Sequence, residues 1–209
     1  MTDEYPVNLV RTGYDALSFR YRDDEGNDER YAPWLARLAG NLPAGGTVLD
    51  LGCGCGIPVA RDLTAAGFRV TGVDISDVQV ERARKLVPGA EFVRADAKDA
   101  GFAPAAFDAV VCLYALIHMP LDDQPVLLRR IAGWLKPGGW LLATAGQEAW
   151  TGTEENWLGG SATMWWSQAD AGTYAAWIEQ AGLRIVEQDV VTEAGGAAHS
   201  LFWARRPPA

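Results

Sequence analysis

The sequence predicts an α/β protein: a seven-stranded, mostly parallel sheet with an antiparallel last strand and helices on both faces, a three-layer sandwich. Short apolar runs alternate with helix-patterned segments through five successive units, the signature of strands joined by crossover helices. The last two apolar runs, RIVEQDVV (184–191) and SLFWARR (200–206), are joined only by TEAGGAAH. That link is too short for a crossover helix, so the final strand must turn back on its neighbour.

In order along the chain, a first helix is expected over 30–40, stopped by Gly40 and Pro43. TVLDL (47–51) follows as a short buried strand. Pro58 suits the first turn of a helix, where its missing N–H costs little, and Gly67 suits that helix's end. RVTGVDI (69–75) is the next strand. Ser76, with Gln79 three residues on, forms a capping box that opens a helix to Leu86. AEFVRA (90–95) and FDAVVCLY (107–114) are the third and fourth strands. Asp122 and Asp123 precede a helix that Pro125 begins and LKPGG (135–139) ends. WLLATA (140–145) is the fifth strand, residues 146–168 read as an irregular insertion rich in Trp and Gly, and a helix spans Asp170 to Ala181.

The 209 residues suit one domain, residues 1–209, with an N-terminal helical segment (1–44) and the 146–168 insertion. A net charge of −9 argues against a nucleic-acid partner, whose phosphates the protein's field would repel. No run approaches the ~18 apolar residues of a membrane span, and acids stand at the N-terminus where a signal peptide carries basic residues. The cysteines are Cys53, Cys55 and Cys112, an odd number with no framework spacing, which fits a reducing cytoplasm.

The stretch VLDLGCGCG (48–56) sets cysteines against glycines. A structural zinc site wants about four ligands, usually with Cys-x-x-Cys spacing; this chain has Cys-x-Cys, a third cysteine within a strand, and only two histidines, so no metal is expected. Gly52, Gly54 and Gly56 lie between a strand and a helix, at the sheet edge where open α/β folds bind ligands. The third glycine falls one place early for a dinucleotide loop, and Asp50 beside the loop would repel a pyrophosphate and attract a cation. Asp74 follows about twenty residues on, a spacing at which a carboxylate grips a ribose diol.

With these motifs in place the chain resembles the class I S-adenosylmethionine-dependent methyltransferases of the small-molecule type, over nearly its whole length. VLDLGCGCG matches the first motif, VTGVDIS the second and VRADA (93–97) the third. FDAVVCLYALIHM and LKPGGWLLAT correspond to the fourth and fifth strands, and AGLRIVEQDV with SLFWARR to the closing hairpin. The resemblance implies a Rossmann-like fold, S-adenosylmethionine as cofactor and S-adenosylhomocysteine as product. It implies that Asp50 and the loop Gly52, Cys53, Gly54 and Gly56 hold the methionine end. Asp74 would bind the ribose, Ile75 would cover the adenine, Asp96 and Ala97 would read its amino group, and Cys112 and Leu113 would floor the pocket.

Several acceptors are disfavoured. The chain has Leu113-Tyr114-Ala115-Leu116 where methyltransferases of base or glutamine nitrogens carry Asn/Asp-Pro-Pro-aromatic, and no Pro-Cys nucleophile pattern. A small-molecule acceptor is expected, with the methylated atom open between O, N and C. GYDALSFRYRDD (13–24) resembles a lead helix that closes over the cofactor, making Tyr14 and Tyr21 candidates to line the site. His118 is the candidate general base. Trp165 and Trp166, in a cluster with Trp150 and Trp157, are candidates for the acceptor wall. The assembly state is expected to be a monomer or homodimer. Two other readings stay open: a cofactor-binding protein that transfers nothing, and a nicotinamide-dependent oxidoreductase.

Overall fold

The computed structural model describes residues 4–26, 29–192 and 196–208; part of the predicted N-terminal segment (1–3, 27–28) and of the final turn (193–195) lies outside the described residues. Seven strands form one sheet: β1 (Thr47–Leu51), β2 (Arg69–Asp74), β3 (Glu91–Arg94), β4 (Phe107–Cys112), β5 (Leu135–Gly146), β8 (Arg184–Thr192) and β9 (Ala198–Arg205). Their order is β3-β2-β1-β4-β5-β9-β8. β3 through β5 are parallel, and β9 runs antiparallel to both β5 and β8. The architecture and the reversed last strand are as the sequence predicts.

Alternate residues of each central strand enter opposite cores, because strand side chains alternate with period two. Val48, Ala109 and Val111 pack with Leu38 of α2 (Tyr31–Gly40), Leu63 of α3 (Val59–Ala65) and Ala83 of α4 (Asp77–Leu86). Leu49, Leu51 and Val110 pack with Leu128 and Ile131 of α5 (Gln124–Trp134) and Ile178 of α6 (Ala171–Gln180). Both faces are dry, which is why these strands read as continuous apolar runs. The strand order reverses between β1 and β4, and a crevice opens at their carboxyl ends, the place where such sheets bind ligands.

The 146–168 segment is not irregular. It folds back as β6 (Trp150–Glu154) and β7 (Met164–Gln168), an antiparallel pair in register from Trp150↔Gln168 to Glu154↔Met164. WTGTE and MWWSQ carry the Trp and Thr that favour strands. A doublet of indoles and a mid-strand glycine mask the alternation that would have announced them.

The N-terminal helix α1 (Glu4–Tyr21) is fastened to the start of α4. Ser76 Oγ accepts from Gln79 N–H (3.0 Å), the first half of the predicted capping box. The second half is rerouted: Gln79 Oε1 accepts from Ser18 Oγ (2.8 Å), while Ser76 N–H donates to Asp74 Oδ1 (2.9 Å). Ser76 Oγ in turn donates to Asp15 Oδ1 (2.6 Å). Arg82 on α4 donates to Ser18 Oγ and to Asp24, tying the helix down further along. Among the described residues no helix is long and apolar enough to cross a membrane.

Candidate active site

The glycine loop leaves β1 by turning over the end of β2. Gly52 N–H and Cys53 N–H both donate to Val73 C=O (2.8 and 3.0 Å). Gly52 has φ +73°, and a β-carbon there would stand 2.4 Å from Ala115 Cβ, so only glycine fits. Gly54 N–H then donates to Asp74 Oδ2 (2.8 Å). Each Asp74 oxygen therefore accepts one backbone N–H, which fixes the carboxylate at the tip of β2. Burial pushes its pKa up to about 6 against the lowering effect of those two bonds.

Asp50 sits beneath the loop, 2% exposed, and its Oδ2 has no hydrogen-bond partner. Burial first and the nearby Asp74 second push its pKa up to about 8. A buried carboxylate oxygen without a donor is costly, and a cation supplied from outside relieves that cost. Asp50 faces a small cavity shared with Cys53, Arg22 and Tyr31. That cavity adjoins a larger crevice, and both touch Gly52, Gly54 and Leu113. Asp74, Ile75, Asp96 and Ala97 line the crevice from β2 and the loop after β3, and Cys112 and Leu113 line it from β4. Asp96 Oδ1 accepts from Lys98 N–H (3.0 Å), and burial raises its pKa.

Gly56 is placed otherwise than expected. It lines neither cavity; its α-carbon is backed by Phe92 and Val87, where a β-carbon would lie 3.1 and 3.2 Å from their side chains. Its φ of +81° serves the packing of the loop on β3. The cysteines are buried, and burial raises the pKa of each, Cys112 to about 12, which keeps the thiols protonated and unreactive. Replacing Cys53 and Cys55 together by Ala should lower the melting temperature by a few degrees, through the small voids left. Affinity for S-adenosylhomocysteine, read by calorimetry, should stay within about threefold; complete loss would give the thiols a direct role.

Three segments meet at one imidazole. His118 stands in a 3₁₀ turn (Leu116–His118) just past β4. Its Nδ1 lies 2.9 Å from the backbone oxygen of Trp165, and its Nε2 lies 3.0 Å from Tyr14 Oη. A carbonyl only accepts, so Nδ1 carries the proton and Nε2 presents its lone pair to the Tyr14 hydroxyl. Burial lowers the His118 pKa to about 4 and raises that of Tyr14 well above its ordinary value, with Tyr21 and Asp74 adding to the latter. Both groups are neutral near pH 7.

Tyr14, Tyr21 and His118 also line a second cavity, of about 800 Å³, on the far side of the crevice. One wall is aromatic: Trp157 stands 5.2 Å from Tyr14 and 6.0 Å from Trp166, which stands 6.0 Å from Trp150. Trp166 lines this cavity. Trp165 lines neither cavity, because successive residues of β7 point to opposite faces; its indole packs, as that of Trp166 also does, against the cluster of Val10, Leu17 and Met164, and its backbone oxygen lies against His118. Tyr114, which the sequence did not single out, and His199, a lesser candidate base at the start of the last strand, also line the cavity; their rings meet edge to face at 5.1 Å. Tyr114 follows β4 directly and has φ +59°, with its N–H donated to Thr144 Oγ1 (2.6 Å). Leu158, at the hairpin tip, has φ +53°. Such left-handed residues cost about 1–3 kcal/mol each and cluster where ligands are gripped.

A protein-family model described as a methyltransferase domain matches residues 21–188. Over 161 residues the chain is 39% identical to the 27-O-demethylrifamycin SV methyltransferase of Amycolatopsis mediterranei (strain S699), covering 66% of this chain and 58% of that protein. Over 165 residues it is 34% identical to the methyltransferase GfsG of Streptomyces halstedii, covering 73% of this chain and 58% of that one. The chain thus spans somewhat more than half the length of these relatives. The solved structure of magnesium protoporphyrin IX methyltransferase (ChlM) from Synechocystis PCC 6803 with bound SAH matches with a TM-score of 0.75 at 21% identity, over 96% of this chain and 99% of that one. The [4+2]-cyclase SpnF matches with a TM-score of 0.72 at 21% identity, over 95% of each chain. At that identity the two structures speak to the fold alone.

Proposed function

This chain belongs to the methyltransferase-domain family, and from that premise we propose that it transfers a methyl group from S-adenosylmethionine to a hydroxyl of a small-molecule acceptor. The observation that carries the reading is the buried Asp50 oxygen without a donor, beside the second carboxylate of Asp74. A ligand bearing an ammonium and a sulfonium suits this arrangement, and a pyrophosphate does not, which disfavours the nicotinamide alternative. Asp50 and the loop would hold the methionine end, Asp74 the ribose, and Ile75, Asp96 and Ala97 the adenine, above a floor of Cys112 and Leu113.

S-Adenosylmethionine, when bound, supplies a methyl already activated on a sulfonium. The protein's part is alignment, exclusion of water and removal of a proton. Tyr14, Tyr21 and His118 line both the crevice and the larger cavity, so the reacting atoms belong at their junction. There the acceptor hydroxyl gives its proton to Tyr14 Oη as the Tyr14 proton moves to His118 Nε2. His118 is thus a base that works through a phenol, and the Trp165 carbonyl fixes the tautomer that allows it. A hydroxyl acceptor is supported by the relatives that are named for O-methylation, among them the rifamycin enzyme. Residues 1–44 would act as a lid and 146–168 as the acceptor wall of a single domain. Its buried, unpaired thiols suit the cytoplasm, and we take it to work as a monomer or homodimer.

The test is Asp74→Ala. Charge-assisted hydrogen bonds are worth ~1.5–3 kcal/mol, so affinity for S-adenosylhomocysteine, measured by calorimetry, should fall at least about tenfold. Wild-type protein should release S-adenosylhomocysteine when incubated with S-adenosylmethionine and a panel of hydroxylated acceptors. An unchanged affinity in the variant would remove Asp74 from the site.

A further inference from the structure

We propose that Leu158 is a specificity residue, an apolar lip that grips the part of a multi-ring acceptor projecting from the larger cavity. This rests on the reading that the larger cavity receives the methyl acceptor. Leu158 lines that cavity yet is 43% exposed, and Trp150, which also lines it, is 49% exposed. The backbone at Leu158 is left-handed (φ +53°, ψ 27°), a conformation in which Asn or Gly sits more easily than leucine. From α1, Arg20 Nη1 donates to the carbonyls of Leu158 (3.3 Å) and Gly159 (2.7 Å).

Core burial does not account for this side chain, because so much of it meets solvent. The Arg20 bonds do not account for it either, since they go to carbonyls that any residue would offer. What leucine adds, and asparagine would not, is apolar surface at the mouth of a cavity. Behind it lie about 800 Å³, toward the upper end of drug-sized sites, with Trp157 and Trp166 set 78° apart along one wall. A single-ring acceptor would leave most of that space unfilled. A planar acceptor of several rings fills it and reaches the lip.

The variant is Leu158→Asn, which keeps the left-handed backbone. Protein saturated with S-adenosylhomocysteine is titrated with two probes, quercetin (three rings) and catechol (one ring). Wild type should bind quercetin at least tenfold more tightly than catechol. The variant should melt at the same temperature or higher, bind quercetin at least threefold more weakly, and bind catechol unchanged. The proposal is overturned by catechol matching quercetin, by no binding of quercetin, by equal quercetin affinity in the variant, or by a lowered melting temperature, which would make Leu158 a structural residue. If S-adenosylhomocysteine itself does not bind wild type, the methyl-transfer reading fails and takes this one with it; binding of that product with any of the other adverse results overturns the lip alone.

Discussion

Asp50→Asn will make the ligand-free protein more heat-stable at pH 8 and will weaken its binding of S-adenosylhomocysteine by about a hundredfold or more. Both effects come from one buried carboxylate. Its folded pKa of about 8 lies well above the ~3.9 of an unfolded chain. The folded state therefore keeps a proton that the unfolded state has lost, and stability declines as pH rises from near 4 until it levels off around 8. Each unit is worth about 1.4 kcal/mol, so the penalty at pH 8 is of the order of several kcal/mol, and asparagine does not incur it. The advantage of the variant should shrink toward pH 5, where Asp50 is protonated in the folded state. Removing one partner of a buried ion pair costs ~3 kcal/mol or more, about a hundredfold in affinity. Scanning calorimetry at pH 5 and 8, with titration of S-adenosylhomocysteine, reads both. A variant that is less stable at pH 8, or that binds as well as wild type, would show that Asp50 does not wait for a cation.

Tyr14→Phe and His118→Gln should each lower kcat on a hydroxyl acceptor by about a hundredfold, the low end for loss of acid–base assistance. Their double variant should be no slower than the worse single one, because the two groups form one path for the proton. Affinity for S-adenosylhomocysteine should stay within a few fold, since neither carries the charges that hold it. The His118 pKa of about 4 places its neutral, accepting form in full supply above about pH 5. At saturating S-adenosylmethionine, kcat should therefore show no His118 limb between pH 6 and 8, that limb appearing only as pH drops toward 4. Multiplying penalties in the double variant, or a full rate in His118→Gln, would dissolve the pair.

The sheet was legible because its strands are buried on both sides: AVVC (109–112) is apolar throughout, and VLDL (48–51) is broken only by the buried Asp50. The crevice was legible for the same reason that it exists, glycines packed at a reversal of strand order. The hairpin was not. Its identity depends on which of two adjacent indoles turns inward, and that is set by pairing with a distant strand, not by either residue. Trp165 and Trp166 are chemically alike, and only the register Thr153↔Trp165, Gly152↔Trp166 separates them. Gly56 looked like a third ligand-facing glycine because spacing alone does not say whether ligand or Phe92 stands behind an α-carbon. Tyr114 and Leu158 were missed because a left-handed conformation at a bulky residue leaves no mark in composition.

The hairpin reaches the imidazole through a peptide oxygen, and every amino acid at position 165 carries that oxygen. The tautomer of His118 is therefore independent of the side chain at position 165, whereas Trp166, 5.6 Å from the imidazole, and Trp157, 5.2 Å from the Tyr14 ring, pack directly on the proposed proton path. On the proposed reading, a substitution at Trp165 would leave that tautomer in place, while one at Trp157 or Trp166 would change the acceptor wall and the packing of the Tyr14–His118 pair together.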